Sequence, residues 1–241
     1  GGGDEPSQAR RAEERTAPRS PETPGPVTPP FEIRSYGGAM TVTGSCHLLD
    51  TGTASILVDC GTFQGSRALF DLNREPFGFD AQAIDAVLLT HAHLDHSGRL
   101  PQLVKRGFTG PVYALPATGM LCQHLLLDAA KLQYEDRQRQ LRRNVRPDEP
   151  LFDEDDVWDV LEAIEPIAYG EPFEVAGVRV TAQPAGHIPG SASFLVEVAG
   201  SRVVFSGDVG NARKDVLPAP PPCPEADVVL IESTYGNRDH R

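Results

Sequence analysis

"THAHLDHSGRLP", residues 90–101, places three of the chain's seven histidines and one aspartate within six positions. His91 and His93 directly follow the apolar run "AVLLT" (86–90). Residues i and i+2 at a strand end project to the same side, so both imidazoles can meet one metal ion. Asp95 and His96 come next, where the chain turns toward "GRLPQLVKRG" (98–107), within reach of a second ion. Imidazole suits zinc, copper, iron or nickel, and mixed nitrogen and oxygen ligation without cysteine fits catalytic rather than structural zinc. The bland alternative is a solvated histidine-rich loop. Spaced ligands behind an apolar strand weigh against it.

A metal site needs donors from elsewhere, and three further stretches offer them. "PAGHIPGSASF" (184–194) carries His187 in a loop flanked by glycine. "VVFSGDVGN" (203–211) sets Asp208 behind an apolar strand, where a lone carboxylate would be partly buried and unpaired. "ILVDCGTFQG" (56–65) does the same with Asp59. Glycine beside each allows close backbone approach. Taken singly, a turn-capping aspartate or a packed histidine explains each equally well. Beside "HAHLDH", all three become candidates for one shared site.

The chain around these motifs is 241 residues long and 39% hydrophobic, enough for one large domain or for a piece of a bigger one. No run approaches the ~20 apolar residues of a membrane span, and no secretory signal is visible, so a cytoplasmic location is expected. The sequence opens on "GGGDEPSQARRAEER" without an initiating methionine, which suggests a trimmed or incomplete N-terminus. Cys46, Cys60, Cys122 and Cys223 lack CxxC spacing and read as free thiols. A net charge of −12 argues against non-specific nucleic-acid binding, which rests on Lys and Arg neutralising phosphates. Bound divalent metals would reverse the local sign at a carboxylate cluster, so the global charge does not exclude a nuclease.

Residues 1–30, with "TAPRSPETPGPVTPP", read as a disordered Pro-rich tail. Order is expected from Phe31. Strands are expected in "FEIRSYGGA", "SILVDCG", "AIDAVLLT" and "GPVYAL". A long helix follows over 117–143, with apolar spacing at Leu121, Leu125, Ala129 and Leu132. A second helix fits 153–164, with Asp153 or Asp155 as its N-cap and its acidic first turn complementing the dipole. The last third returns to strands in "FEVAGVRVTAQPAG", "SASFLVEVAG", "RVVFSGD" and "DVVLIEST", with two hairpin-like Gly-containing connections. Strand groups with helices between them suggest sheets covered by helices.

"HAHLDH", "AGHIPGSA" and "FSGD" together resemble the metallo-β-lactamase superfamily. "GGAMTVTGSCHLL", "VDCGTFQG", "LTHAHLDHSGRLPQLVKRGFTGPVYALPAT" and "LIESTYGNRDH" narrow the likeness to its β-CASP group of nucleic-acid hydrolases. Relatives of the endonuclease subunit of the eukaryotic pre-mRNA 3′-end cleavage machinery share these stretches. The resemblance covers about residues 31–241. It implies an α/β (α+β) fold, the four-layer αββα sandwich. It also implies that His91, His93 and His187 hold one zinc, Asp95 and His96 a second, and that Asp208 bridges the two. Asp59 would orient ligand imidazoles, and Glu232 in "ESTYG" would support the general acid. Asp95, Asp208 and Glu232 are thus the candidate catalytic residues. His47 receives no ligand role, His124 reads as a helix-surface or packed histidine, and His240 is unassigned.

The activity so implied is zinc-dependent phosphodiester hydrolysis, with a dinuclear centre activating water, on RNA rather than DNA, in RNA processing or decay. β-CASP proteins continue beyond "ESTYGNRDH" into an inserted domain and a C-terminal return that supplies two further histidines. Residues 31–241 are therefore expected to be the N-terminal part of the sandwich domain, inactive alone, and a homodimer is expected to form through the later part. Two alternatives stay open: a thioester or lactam hydrolase of the same fold, and a non-catalytic metal-binding partner subunit. The β-CASP-like stretches weigh against the first, and the intact ligand positions against the second.

Overall fold

The computed structural model describes residues 31–211, 216–234 and 236. The tail expected at 1–30 and His240 lie outside the described residues. The chain opens with an antiparallel run, β1 (Glu32–Gly37), β2 (Cys46–Asp50) and β3 (Ser55–Val58). It continues through α1 (Arg67–Asp71) into β4 (Ala86–Leu88), α2 (Leu94–Ser97), α3 (Leu100–Lys105) and β5 (Val112–Ala114). Two longer helices, α4 (Pro116–Arg142) and α5 (Glu154–Glu162), precede β6 (Ile164–Pro166). Strands β3 to β6 pair in parallel, which completes a six-stranded sheet in sequence order.

The second sheet follows as a meander of β7 (Pro172–Val175), β8 (Val178–Pro184), β9 (Ala192–Val198) and β10 (Ser201–Phe205). The last strand, β11 (Val228–Leu230), runs parallel to β10 at the edge. The β7–β8 and β9–β10 connections are the tight Ala-Gly turns expected from "EVAG". Ala176 and Ala199 take φ of 47° and 48° there, each followed by a glycine that is also positive.

Period-two side-chain alternation builds two cores from the first sheet. Leu48, Leu57 and Val87 point toward the helices, where they meet Leu103, Cys122, Leu126, Val157 and Val160. Their neighbours Leu49, Ile56, Ala86 and Leu88 point the other way and pack on Val180, Phe194, Val196 and Phe205 of the second sheet. Helices, first sheet and second sheet thus form three stacked layers of the expected sandwich. A second helical layer is not among the described residues.

Two sequence expectations shift. The buried stripe of α4 is Thr118, Cys122, Leu126 and Ala130, one position on from the expected stripe, and Leu132 is half exposed. The second helix stops at Glu162, because Ile164 leaves it to pair with Val112 as β6. Its start is as expected: Asp153 caps it through a reciprocal capping box with Asp156. No described helix is long and apolar enough to cross a membrane. All four cysteines are free thiols.

Candidate metal centre

The candidate residues gather where strands of both sheets end. Asp59 follows β3, Thr90 and His91 follow β4, and His93 caps α2. His187 lies in the β8–β9 loop, Asp208 follows β10, and Glu232 follows β11. Backbone hydrogen bonds join these loops: Ala192 N–H donates to Thr90 O, Gly210 N–H to Ala185 O, and Cys60 N–H to His96 O, each at 2.8 Å. The contacts are so close that glycine is required at two points. A Cβ on Gly210 would stand 1.7 Å from Gly186 O, and one on Gly61 would stand 1.6 Å from Asp95 O.

His91, His93, His187 and Asp208 each offer one ligand atom, all within 4.8 Å of one another. His93 Nδ1 lies 3.1 Å from His91 Nε2 and 3.1 Å from His187 Nε2. Asp208 Oδ2 is 3.7 Å from His91 Nε2 and 3.5 Å from His187 Nε2. A tetrahedral ion with ligands at ~2.0–2.1 Å needs them about 3.3–3.4 Å apart, so these four atoms fit a zinc-sized cation. The tautomers fit as well. The Thr90 hydroxyl donates to Asp59 Oδ2 at 2.9 Å and, with its proton so used, accepts from His91 Nδ1 at 3.0 Å. His91 Nε2 then carries a lone pair. Burial, reinforced by His96 and opposed by Asp208, pushes the His91 pKa down to about 2, so the ring stays neutral and able to bind a cation.

His96 sits beside this group. Its Nδ1 is 2.6 Å from Asp59 Oδ2, and its Nε2 is 3.3 Å from Asp208 Oδ1. Burial disfavours charge on this ring, but Asp59 and then Asp208 outweigh it and raise its pKa to about 10. Asp208 thus presents one oxygen to the first group and the other to His96. Burial opposes its ionisation, yet the hydrogen bond and charge of His96, with His91 and His187, lower its pKa to about 2. The Asp59 carboxylate also accepts from Thr90 N–H at 2.8 Å and from Ser45 Oγ at 3.2 Å. These bonds hold Asp59 in the left-handed region, at φ 62°, which a non-glycine residue enters only when its surroundings impose it.

Two candidates stand apart. The Asp95 side chain lies on α2 outside the four-donor group and makes no hydrogen bond among the described residues. Glu232 spends Oε1 on Val209 N–H at 2.8 Å, which fixes the turn next to Asp208. A cavity of about 600 Å³ opens on the His96 side of the cluster, with Asp59, Asp208 and Glu232 in its wall. Sequence reasoning missed Thr90, whose hydroxyl couples Asp59 to His91, while His47, given no ligand role, stands outside the four-donor group and lines the cavity. A threonine carries no ligand signal, and only its place directly before the motif could have marked it.

Two stacked sheets with a helical cover and a histidine–aspartate cluster at their strand ends define a metal-binding α/β sandwich. The sequence pattern of the metallo-beta-lactamase superfamily matches residues 40–236, and the chain belongs to that superfamily. It is 47% identical over 211 residues to "Ribonuclease TTHA0252" of Thermus thermophilus, covering 88% of this chain and 45% of that protein. It is 32% identical to "Endoribonuclease YSH1" of Saccharomyces cerevisiae, covering 88% of this chain and 27% of the relative. It is also 32% identical to "Cleavage and polyadenylation specificity factor 73" of Drosophila melanogaster, covering 87% and 29%. The chain therefore spans less than half the length of these relatives.

Proposed function

We propose that this chain carries the metal centre of a cytoplasmic zinc-dependent ribonuclease of the β-CASP group. The observation that carries the proposal is the convergence of His91, His93, His187 and Asp208 on one point. The names of the two ribonuclease relatives supply the substrate class. His91, His93 and His187 would hold one zinc, Asp208 would bridge through its two oxygens, and Asp95 with His96 would hold a second. When bound, the metal pair supplies a water acidic enough to act as nucleophile near neutral pH, together with positive charge for phosphate oxygens. Asp59 holds the His96 ring directly and the His91 ring through Thr90, so the orientation of both rings is set in advance. Glu232 holds the Asp208 turn and is the group assigned to orienting the general acid.

The test is a single-turnover cleavage assay of the full gene product on labelled single-stranded RNA, on DNA and on a panel of thioesters and lactams. RNA cleavage is expected, lost on chelation and lost in His91→Ala. Thioester or lactam hydrolysis without RNA cleavage would overturn the substrate class.

A further inference from the structure

His47 plays no part in the centre described above. It lies on β2, paired across the strands with Val58 of β3 on one side and Ser35 of β1 on the other. Ser35 Oγ is 2.8 Å from its Nδ1. The ring tilts against Phe205 of the second sheet, with centroids 6.4 Å apart, so it spans the gap between the sheets. It lines the same cavity as Asp59, His96, Asp208 and Glu232. Its Nε2 has no hydrogen-bond partner among the described residues. That atom faces Gly38, another residue of the cavity wall, where an added Cβ would stand 3.5 Å away.

The chemistry of this pair is specific. The Ser35 hydroxyl can donate to Nδ1, which leaves the proton of a neutral imidazole on Nε2. Burial favours the neutral ring by holding its pKa below the ordinary value, against the pull of Asp59. The result is a fixed, uncharged donor beside a cluster built to hold cations. The outer cavity wall adds exposed Met40, Val42 and Ile231, an apolar face suited to a nucleobase or ribose.

We infer that His47 is a substrate-contacting residue: its Nε2–H donates to a phosphate oxygen of an RNA strand lying in the cavity beside the metal cluster. Ser35 is the positioning residue that sets the ring. The inference rests on the ribonuclease reading above and names the contact that holds the strand. A phosphate contact of this kind is blind to base identity and fixes the register of the strand.

His47→Phe keeps a ring against Phe205 and removes the donor, while Ser35→Ala frees the ring without touching its packing. The zinc-loaded full gene product is compared in three measurements: zinc content, affinity for a phosphorothioate-substituted single-stranded RNA, and the His47 ring NMR signals during titration with inorganic phosphate. Zinc content should be unchanged in both variants. RNA affinity should fall about ten- to hundredfold in His47→Phe, the range for a lost hydrogen bond to a charged group, and by a smaller factor in Ser35→Ala. Phosphate should move the ring signals in the wild type. RNA affinity equal to wild type in His47→Phe, ring signals indifferent to phosphate, or loss of zinc with the variant would each overturn the inference, even where the wild type cleaves RNA. A wild type whose ring signals respond to phosphate but which neither binds nor cleaves RNA would support the anion contact and sink the ribonuclease reading instead.

Discussion

Asp59 Oδ2 and His96 Nδ1 stand 2.6 Å apart in a buried contact, and the same carboxylate reaches His91 through the Thr90 hydroxyl. One side chain outside the donor group thereby sets two histidine rings. It does so from a left-handed backbone conformation that only its own hydrogen bonds justify.

Asp59→Asn keeps the size and removes the charge. With its charge partner gone, His96 loses the fixed orientation of its ring, and zinc affinity should fall about 10–100-fold. Calorimetric zinc titration reads the loss, and circular dichroism checks that the fold survives. An unchanged affinity would reduce Asp59 to a strand-end carboxylate.

Thr90→Val tests the relay to His91. Valine fills the space but leaves His91 Nδ1 without its buried partner, at a cost of about 1–3 kcal/mol in stability. Zinc affinity should drop, and Thr90→Ser should restore most of both. Equal behaviour of the valine and serine variants would show that the hydroxyl has no role.

Legibility in the sequence followed the range of the interactions. The "HAHLDH" spacing was readable because its residues share one strand end and one short helix, so their geometry is local. His187 and Asp208 were legible only as candidates for a shared site, and the resemblance gave their ligand roles, since two separate loops of the second sheet carry them to the end of the first. Strand β2 was not read as a strand, because "CHLLD" is five residues with two-sided burial and no clean alternation. The α4 stripe was misplaced by one residue because apolar residues crowd several faces of its N-terminal half (Met120, Leu121, Cys122, Leu125, Leu126 and Leu127), and packing on the first sheet decides which are covered. Thr90 was invisible as a functional group, because its link between Asp59 and His91 rests on hydrogen bonds that exist only after folding, as does the cavity that His47 lines.

Two glycine variants should move stability in opposite directions. In Gly210→Ala the new methyl collides with the Gly186 carbonyl, separating the loops that carry His187 and Asp208. Melting temperature and zinc affinity should fall together. In Gly119→Ala the methyl meets only Ile164 carbons at 3.5 Å and 3.7 Å, within α4. Helix propensity alone then favours alanine by about 1 kcal/mol, or roughly 2–4 °C in melting temperature. Differential scanning calorimetry on both variants checks the pair. A tolerated Gly210→Ala would contradict the tight loop contact.

The most direct measurement is anomalous diffraction at the zinc edge from crystals of zinc-loaded protein. A peak is expected about 2.0–2.2 Å from each of His91 Nε2, His93 Nδ1, His187 Nε2 and Asp208 Oδ2. A second peak is expected beside Asp208 Oδ1 and His96 Nε2. Zinc-loaded crystals with no peak among the first four atoms would contradict the metal centre, and with it the function built upon it.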